Sequence, residues 1–147
     1  MQPIQIVSEV LNAIDAHDLR KASARTAEDL VVTDPTLAGS LDKAAFFAQM
    51  DAILKAFPDW KYDLESLDAE GKHVTVSVVA LATNTAPLKL AGMPVVPATG
   101  KHVSIPDRFV FTVENDHVTE LKIDSPPNGG AAAMLSQLGI AAPPSAS

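Results

Sequence analysis

The chain has 147 residues, 47% of them hydrophobic and 20% charged, with a net charge of −7. That length suits one domain with one core, and no apolar run approaches the roughly 20 residues a membrane span needs, so a soluble protein without a membrane partner is expected. Eleven Lys and Arg with no basic cluster speak against a nucleic-acid partner, because such affinity rests on phosphate neutralisation, and the absence of cysteine excludes disulfides, thiolate nucleophiles and zinc–thiolate sites.

The opening stretch MQPIQIVSEVLNAIDAHD has no basic segment followed by an unbroken apolar one. It does not read as a secretory signal, and a cytoplasmic location is expected. Ile4, Val7, Leu11 and Ile14 recur at steps of three and four, which predicts an amphipathic helix over residues 3–16. AHDLRKASARTAEDL predicts a second, shorter helix capped by Asp18, and LVVTDP a short extended segment stopped by Pro35. Ser40 is expected to cap a third helix, where Phe46, Phe47, Met50, Ile53, Leu54 and Phe57 form the strongest apolar face of the chain.

After Pro58 the period changes to two. Trp60, Tyr62 and Leu64 alternate with Lys61, Asp63 and Glu65, AEGK makes a turn, and HVTVSVVALATNT follows as a long strand. APLKLAGMPVVPATGK, with three prolines and two glycines, reads as a long loop over one mouth of the fold. IPDRFVFTVENDHVTELKID is a hairpin, SPPNGG breaks the chain, and AAAMLSQLG is a final helical turn. Residues 1–140 are expected to form a single domain and residues 141–147 a disordered tail. Helices first and strands after indicate an α+β domain with helices on one face of an antiparallel sheet, and a curved sheet closing over helices leaves a cavity.

The hairpin carries the main chemical candidates. If Asn115 and Asp116 form its two-residue turn, Val113 faces Val118, Phe111 faces Glu120, Phe109 faces Lys122 and Asp107 faces Asp124. Two close carboxylates raise one another's proton affinity and supply a donor beside an acceptor. A bulge near Pro106 would instead put them on opposite faces. Asp34 ends an apolar strand before a turn, where it either meets a substrate or accepts local backbone amides. Trp60, Tyr62, Phe109 and Phe111 are candidates for a pocket wall or for plain core, and Asn84 for a polar group in that wall. The four histidines are scattered without metal-ligand spacing, so no metal is expected. Gly-rich phosphate loops and GxSxG nucleophile motifs are absent from the sequence.

NAIDAHDLRKASARTAEDLVVTDP, AFPDW, PATGK and RFVFTVENDHVTELKID together resemble the SnoaL-like polyketide cyclase or ester cyclase branch of the NTF2-like superfamily, over about residues 4–139. The resemblance implies a cone-shaped α+β barrel, with three N-terminal helices packed on a strongly curved antiparallel sheet. In the cyclase branch a late-strand aspartate is general acid/base in an aldol closure, a role that would fall to Asp124 or Asp107. Relatives often carry a histidine in a GTHTG string where this chain has ATNTAP and Asn84. Ketosteroid isomerase, in the same superfamily, suggests Asp34 as base and Asp107 as donor, with its first-helix tyrosine falling near Val10.

The resulting expectation is a cofactor-free enzyme acting by aspartate acid–base catalysis on a carbonyl compound in an apolar cavity. Asp107, Asp124 and Asp34 would be catalytic, and Trp60, Tyr62, Asn84, Phe109, Phe111 and Val10 would bind an apolar or polycyclic substrate. A homodimer is expected because sheets in this superfamily commonly pack face to face. The alternative is a non-catalytic NTF2-like domain that binds an apolar ligand or serves as a dimerisation module.

Overall fold

The N-terminal periodicity becomes helix α1 (Pro3–Asp15), with proline in its first turn and a capping box between Gln2 and Gln5. It ends where His17 takes a positive φ of 58° and Asp18 N–H donates to the Ala13 carbonyl at 2.8 Å, a reversal that leads straight into α2 (Leu19–Ala24). Asp18 caps α2 by accepting from Lys21 N–H. The computed structural model describes residues 2–34, 40–89 and 95–139, except the side chains of 131 and 132. The expectations about Pro35, part of the long loop and the tail lie outside these residues.

Helix α2 is shorter than its pattern suggested. TAEDL belongs to strand β1 (Thr26–Thr33), which pairs with β2 (Ser40–Asp42) and runs parallel to a later strand. Ser40 is therefore a strand residue, and the cap of α3 (Lys43–Ala56) is Asp42, which accepts from Ala45 N–H at 2.8 Å. Nor does α3 have the strongest apolar face. It buries five side chains, whereas α1 buries six, because α1 lies across the sheet and Phe47 of α3 turns partly to solvent.

Strands β3 (Lys61–Glu70), β4 (His73–Thr83), β5 (His102–Glu114) and β6 (His117–Ile123) then form an antiparallel meander. Among the described residues, six strands are ordered β2-β1-β6-β5-β4-β3, with the β1–β6 pair alone parallel. Leu30 in β1 and Tyr62 in β3 line one cavity although three strands separate them. A flat sheet would hold those strands about 19 Å apart, so the sheet bends around the cavity, with α1 packed over β3, β4, β5 and β6. Leu64 leaves this arrangement: on edge strand β3, next to an irregularity, it is 50% exposed.

After β6, α4 (Gly130–Gln137) docks on β5. Gly129 makes this approach possible, because a Cβ there would stand 1.9 Å from the Pro106 carbonyl oxygen. Gly129→Ala is expected to force α4 away from β5 and cost about 2 kcal/mol or more, measured as a lower urea midpoint with an unchanged slope.

Candidate functional site

Strand β5 builds the site by alternation. Val103, Ile105, Phe109, Phe111 and Val113 point inward and are buried, and Asp107 occupies the same inward register among them. The turn at Asn115 and Asp116 has φ of 52° and 61°, as a two-residue hairpin requires. Pairing starts in the expected register, with Glu114 opposite His117 and Val113 opposite Val118.

A bulge then intervenes. Thr112 faces Glu120, so Thr119 is the extra residue on β6, and from there Phe111 faces Leu121 and Phe109 faces Ile123. The shift puts Leu121 and Ile123 into the cavity wall, where the unshifted register would have placed Glu120 and Lys122 opposite the inward phenylalanines. Apolar burial favours the bulged ladder. Its consequence for the carboxylates is decisive: Asp124 sits opposite Arg108, donates its N–H to the Arg108 carbonyl at 2.8 Å, and pairs with the Arg108 guanidinium. The facing Asp107–Asp124 pair is not formed, and Asp124 does not line the cavity.

The carboxyl that joins Asp107 in the cavity is Asp34, at the end of β1. Asp34 is only 8% exposed. Burial pushes the Asp107 carboxyl above the ordinary carboxylate range, and the charge of Asp34 adds to that rise. Two hydrogen bonds oppose it, from Ser125 Oγ at 2.7 Å and from the Arg108 backbone N–H at 2.9 Å.

Around these two carboxyls the cavity, of about 110 Å³, is almost wholly apolar. Val10, Leu11 and Ile14 come from α1, Phe46, Met50 and Ile53 from α3, and Met134 from α4. One wall, from Trp60 through Tyr62 and Phe109 to Phe111, is an unbroken series of edge-to-face rings, backed by the buried Phe57. Centroid separations are 5.6 Å for Phe57–Trp60, 5.8 Å for Trp60–Tyr62, 5.9 Å for Tyr62–Phe109 and 6.1 Å for Phe109–Phe111, all in the favourable range for aromatic pairs. Asp15 anchors this wall to α1 by accepting Tyr62 N–H at 2.9 Å. The enclosed Tyr62 hydroxyl has its pKa pushed well up, first by burial and then by the charges of Asp107 and Asp15, against the opposing effect of Trp60.

Of the residues expected to touch a substrate, Asn84 does not reach the cavity. It is fully buried elsewhere and ties the end of β4 to the loop before β5: Nδ2 donates to the Ala86 carbonyl at 2.9 Å, while Oδ1 accepts from Thr99 N–H at 2.7 Å and Thr99 Oγ at 2.9 Å. Its backbone N–H and carbonyl bond Lys101 and Gly100. Ser125 and Gln49 were missed. Gln49 shares a helical face with Phe46 and Ile53 and lines the cavity, a signal that the three-and-four spacing carried. Ser125 had no local signal, because its bond to Asp107 depends on where the chain turns after β6.

A sequence profile of the SnoaL-like domain matches residues 7–121. The chain belongs to the SnoaL-like family. No curated protein matches it. Among solved structures it is similar to AclR, a candidate hydroxylase from Streptomyces galilaeus, with 22% identity, a TM-score of 0.77, and coverage of 93% of this chain and 95% of that one. It is similar to IdmH, a candidate polyketide cyclase from Streptomyces antibioticus, with 22% identity, a TM-score of 0.74, and coverage of 95% and 100%. TerC co-crystallised with polyporic acid shares 11% identity at a TM-score of 0.68, over 94% of this SnoaL-like chain and 99% of TerC. At these identities the likeness shows the fold, which is the NTF2-like α+β architecture expected from the sequence.

Two outcomes test this site description. Asn84→Ala leaves several buried partners unsatisfied and is expected to cost about 2–4 kcal/mol in chemical denaturation. For Asp107 the raised pKa means that the unfolded chain ionises first as pH rises. Its contribution to stability is therefore full below the ordinary carboxylate pKa and is lost as pH climbs through the raised folded value. Asp107→Asn should remove that downward step, so the variant gains on the wild type toward neutral pH in thermal melts recorded across the acid range.

Proposed function

We propose that this SnoaL-like protein is a cofactor-free, small-molecule enzyme that uses Asp107 as general acid/base on a carbonyl compound, acting in the cytoplasm as a homodimer. The observation that carries this reading is a carboxyl of raised pKa beside a second carboxyl, Asp34, in an otherwise apolar cavity. A proton-transfer group works best with a pKa near the operating pH, and burial moves a carboxyl in that direction. A closed apolar cavity with Asp107 and Asp124 both facing outward would have favoured the binding-module alternative; Asp124 does lie outside it, but Asp107 lines it together with Asp34.

In the proposed reaction the Asp107 carboxylate takes a proton from the carbon alpha to a carbonyl. The electron pair of that C–H bond moves to the carbonyl oxygen, giving an enolate. Asp107, now protonated, either returns the proton at a conjugated carbon, which is isomerisation, or delivers it to the alkoxide oxygen formed when the enolate carbon attacks a second carbonyl, which is aldol closure; either way the carboxylate is regenerated. The apolar walls exclude water from the enolate. The polyketide-cyclase description of IdmH and the polyporic acid of TerC support an apolar or polycyclic substrate for a cavity of this kind.

The test is alpha-proton exchange of 2-indanone in deuterated water, followed by NMR. The wild type is expected to accelerate exchange over buffer, and Asp107→Asn to lose about 10²-fold or more of that acceleration. Asp34→Asn removes a like charge and should move the pH midpoint of exchange downward. Asp124→Asn, outside the cavity, should stay within about twofold. Full exchange by Asp107→Asn would remove Asp107 from the mechanism, and a monomer in sedimentation velocity would remove the homodimer.

A further inference from the structure

Two polar hydrogens at the aromatic end of the cavity lack an acceptor. Trp60 Nε1 is buried and has no hydrogen-bond partner, an uncommon state for a buried donor. The hydroxyl of Tyr62, a partly buried residue on the same wall, has no hydrogen bond among the described residues. The indole N–H lies near enough to the Tyr62 oxygen to ease its ionisation. Yet the rings meet at 88° with centroids 5.8 Å apart, and no hydrogen bond closes between them. A small turn of Tyr62 toward the cavity centre would let its oxygen accept from Trp60 while its hydrogen faces a ligand.

The same cavity limits what that ligand can be. Asp107 and Asp34 line it, and neither lysine nor arginine does among the described residues, so an anionic carboxylate would meet like charge without a counter-ion. A neutral carbonyl oxygen needs only a donor. A volume of about 110 Å³ walled by ring edges suits a single ring inside the cavity, with any larger body extending through its mouth.

We propose that Tyr62 and Trp60 form an oxygen subsite for a neutral ring ketone, in which Tyr62 O–H donates to the ligand carbonyl and Trp60 N–H donates to the Tyr62 oxygen. Tyr62 touches the ligand; Trp60 is a positioning residue that acts through it. The linked donors polarise one another, so the pair holds the oxygen more firmly than either alone. This inference rests on the carbonyl-substrate reading above and assigns the group that receives the oxygen, which Asp107 and Asp34 leave open.

Trp60 is the single tryptophan of the chain, so a nitrogen-15 NMR spectrum contains one indole N–H signal from the folded protein. Acetophenone and ethylbenzene are nearly the same shape and differ by the carbonyl oxygen. Titration with acetophenone is expected to move the indole signal downfield, and titration with ethylbenzene to leave it near its free position. Tyr62→Phe should weaken acetophenone about tenfold, or about 1.4 kcal/mol, keep ethylbenzene within about twofold, and abolish the indole shift. Trp60→Phe should weaken acetophenone by about threefold with ethylbenzene again unchanged, a selective loss that a packing defect does not produce. Benzoate should bind far more weakly than acetophenone.

Equal affinity for acetophenone and ethylbenzene in the wild type overturns the subsite, as does benzoate binding as tightly as the ketone, a parallel loss of both neutral ligands in Tyr62→Phe, or no binding of either one. The wild-type comparison decides the matter even if a variant fails to fold. Donor-dependent acetophenone binding without any 2-indanone exchange would leave the oxygen subsite standing and sink the acid–base reading. Asp107-dependent exchange with oxygen-indifferent binding would do the reverse.

Discussion

The inward face of β5 is the constraint on which the rest of the molecule depends. Five apolar side chains on that face are buried against helices and neighbouring strands, and strand alternation puts residue 107 in the same row. Each neighbour must then present apolar groups to match. On the β4 side this happens without adjustment, Val76 meeting Phe109 and Val74 meeting Phe111. On the β6 side it requires the extra residue Thr119, after which Leu121 and Ile123 face the phenylalanines. A single bulge thus reconciles a tight two-residue turn with an apolar inner wall, and the same bulge sends Asp124 to Arg108 on the outer side.

What remains inside is a carboxyl pair separated in sequence by half of the chain. Asp34 arrives from the end of β1, brought across by the parallel pairing of β1 with β6, and Asp107 arrives from the middle of β5. Keeping Asp107 in an apolar enclosure works against stability, since burial and the charge of Asp34 both disfavour its ionised form. The surroundings offset part of that cost: Ser125 and the Arg108 N–H hold Asp107 in one orientation. Gly129, which lets α4 approach the Pro106 carbonyl, closes the wall beside it. A departure from apolar packing in a cavity, rather than at a strand end, is the kind of local inconsistency that marks a working site.

Polar groups elsewhere hold the frame on which this enclosure is built. Asn84 uses both ends of its amide and its backbone to fasten the loop before β5 to the end of β4. Lys43 joins α3 to the carbonyls of Ser23 and Thr26 and to Glu28. Asp15 fixes the start of β3 against the end of α1. Their role is to satisfy buried backbone donors and acceptors where elements meet, which places the ring series from Trp60 to Phe111 along one wall.

The residues legible from sequence were those governed by local period or local turn chemistry. Alternation placed Tyr62, Phe109, Phe111 and Asp107 on inward faces, the ketosteroid-isomerase resemblance pointed to Val10, and Asn-Asp at the hairpin tip specified its turn. The misassigned residues were those whose fate depends on a distant partner. Ser40 reads locally as a cap but pairs with Thr33. Asn84 sits in strand register with buried valines, yet its amide is consumed by Thr99 and Ala86. Asp124 follows the hairpin register only until Thr119 interrupts it. The amino-acid sequence by itself determined most of the helices and strands and the aromatic wall, because periodicity and turn chemistry act within a few residues, and its ordered motifs carried the resemblance to the SnoaL-like family. Only the tertiary structure decided which aspartate joins Asp107, because a one-residue bulge inverts a strand's faces and the β1–β6 pairing that delivers Asp34 spans most of the chain.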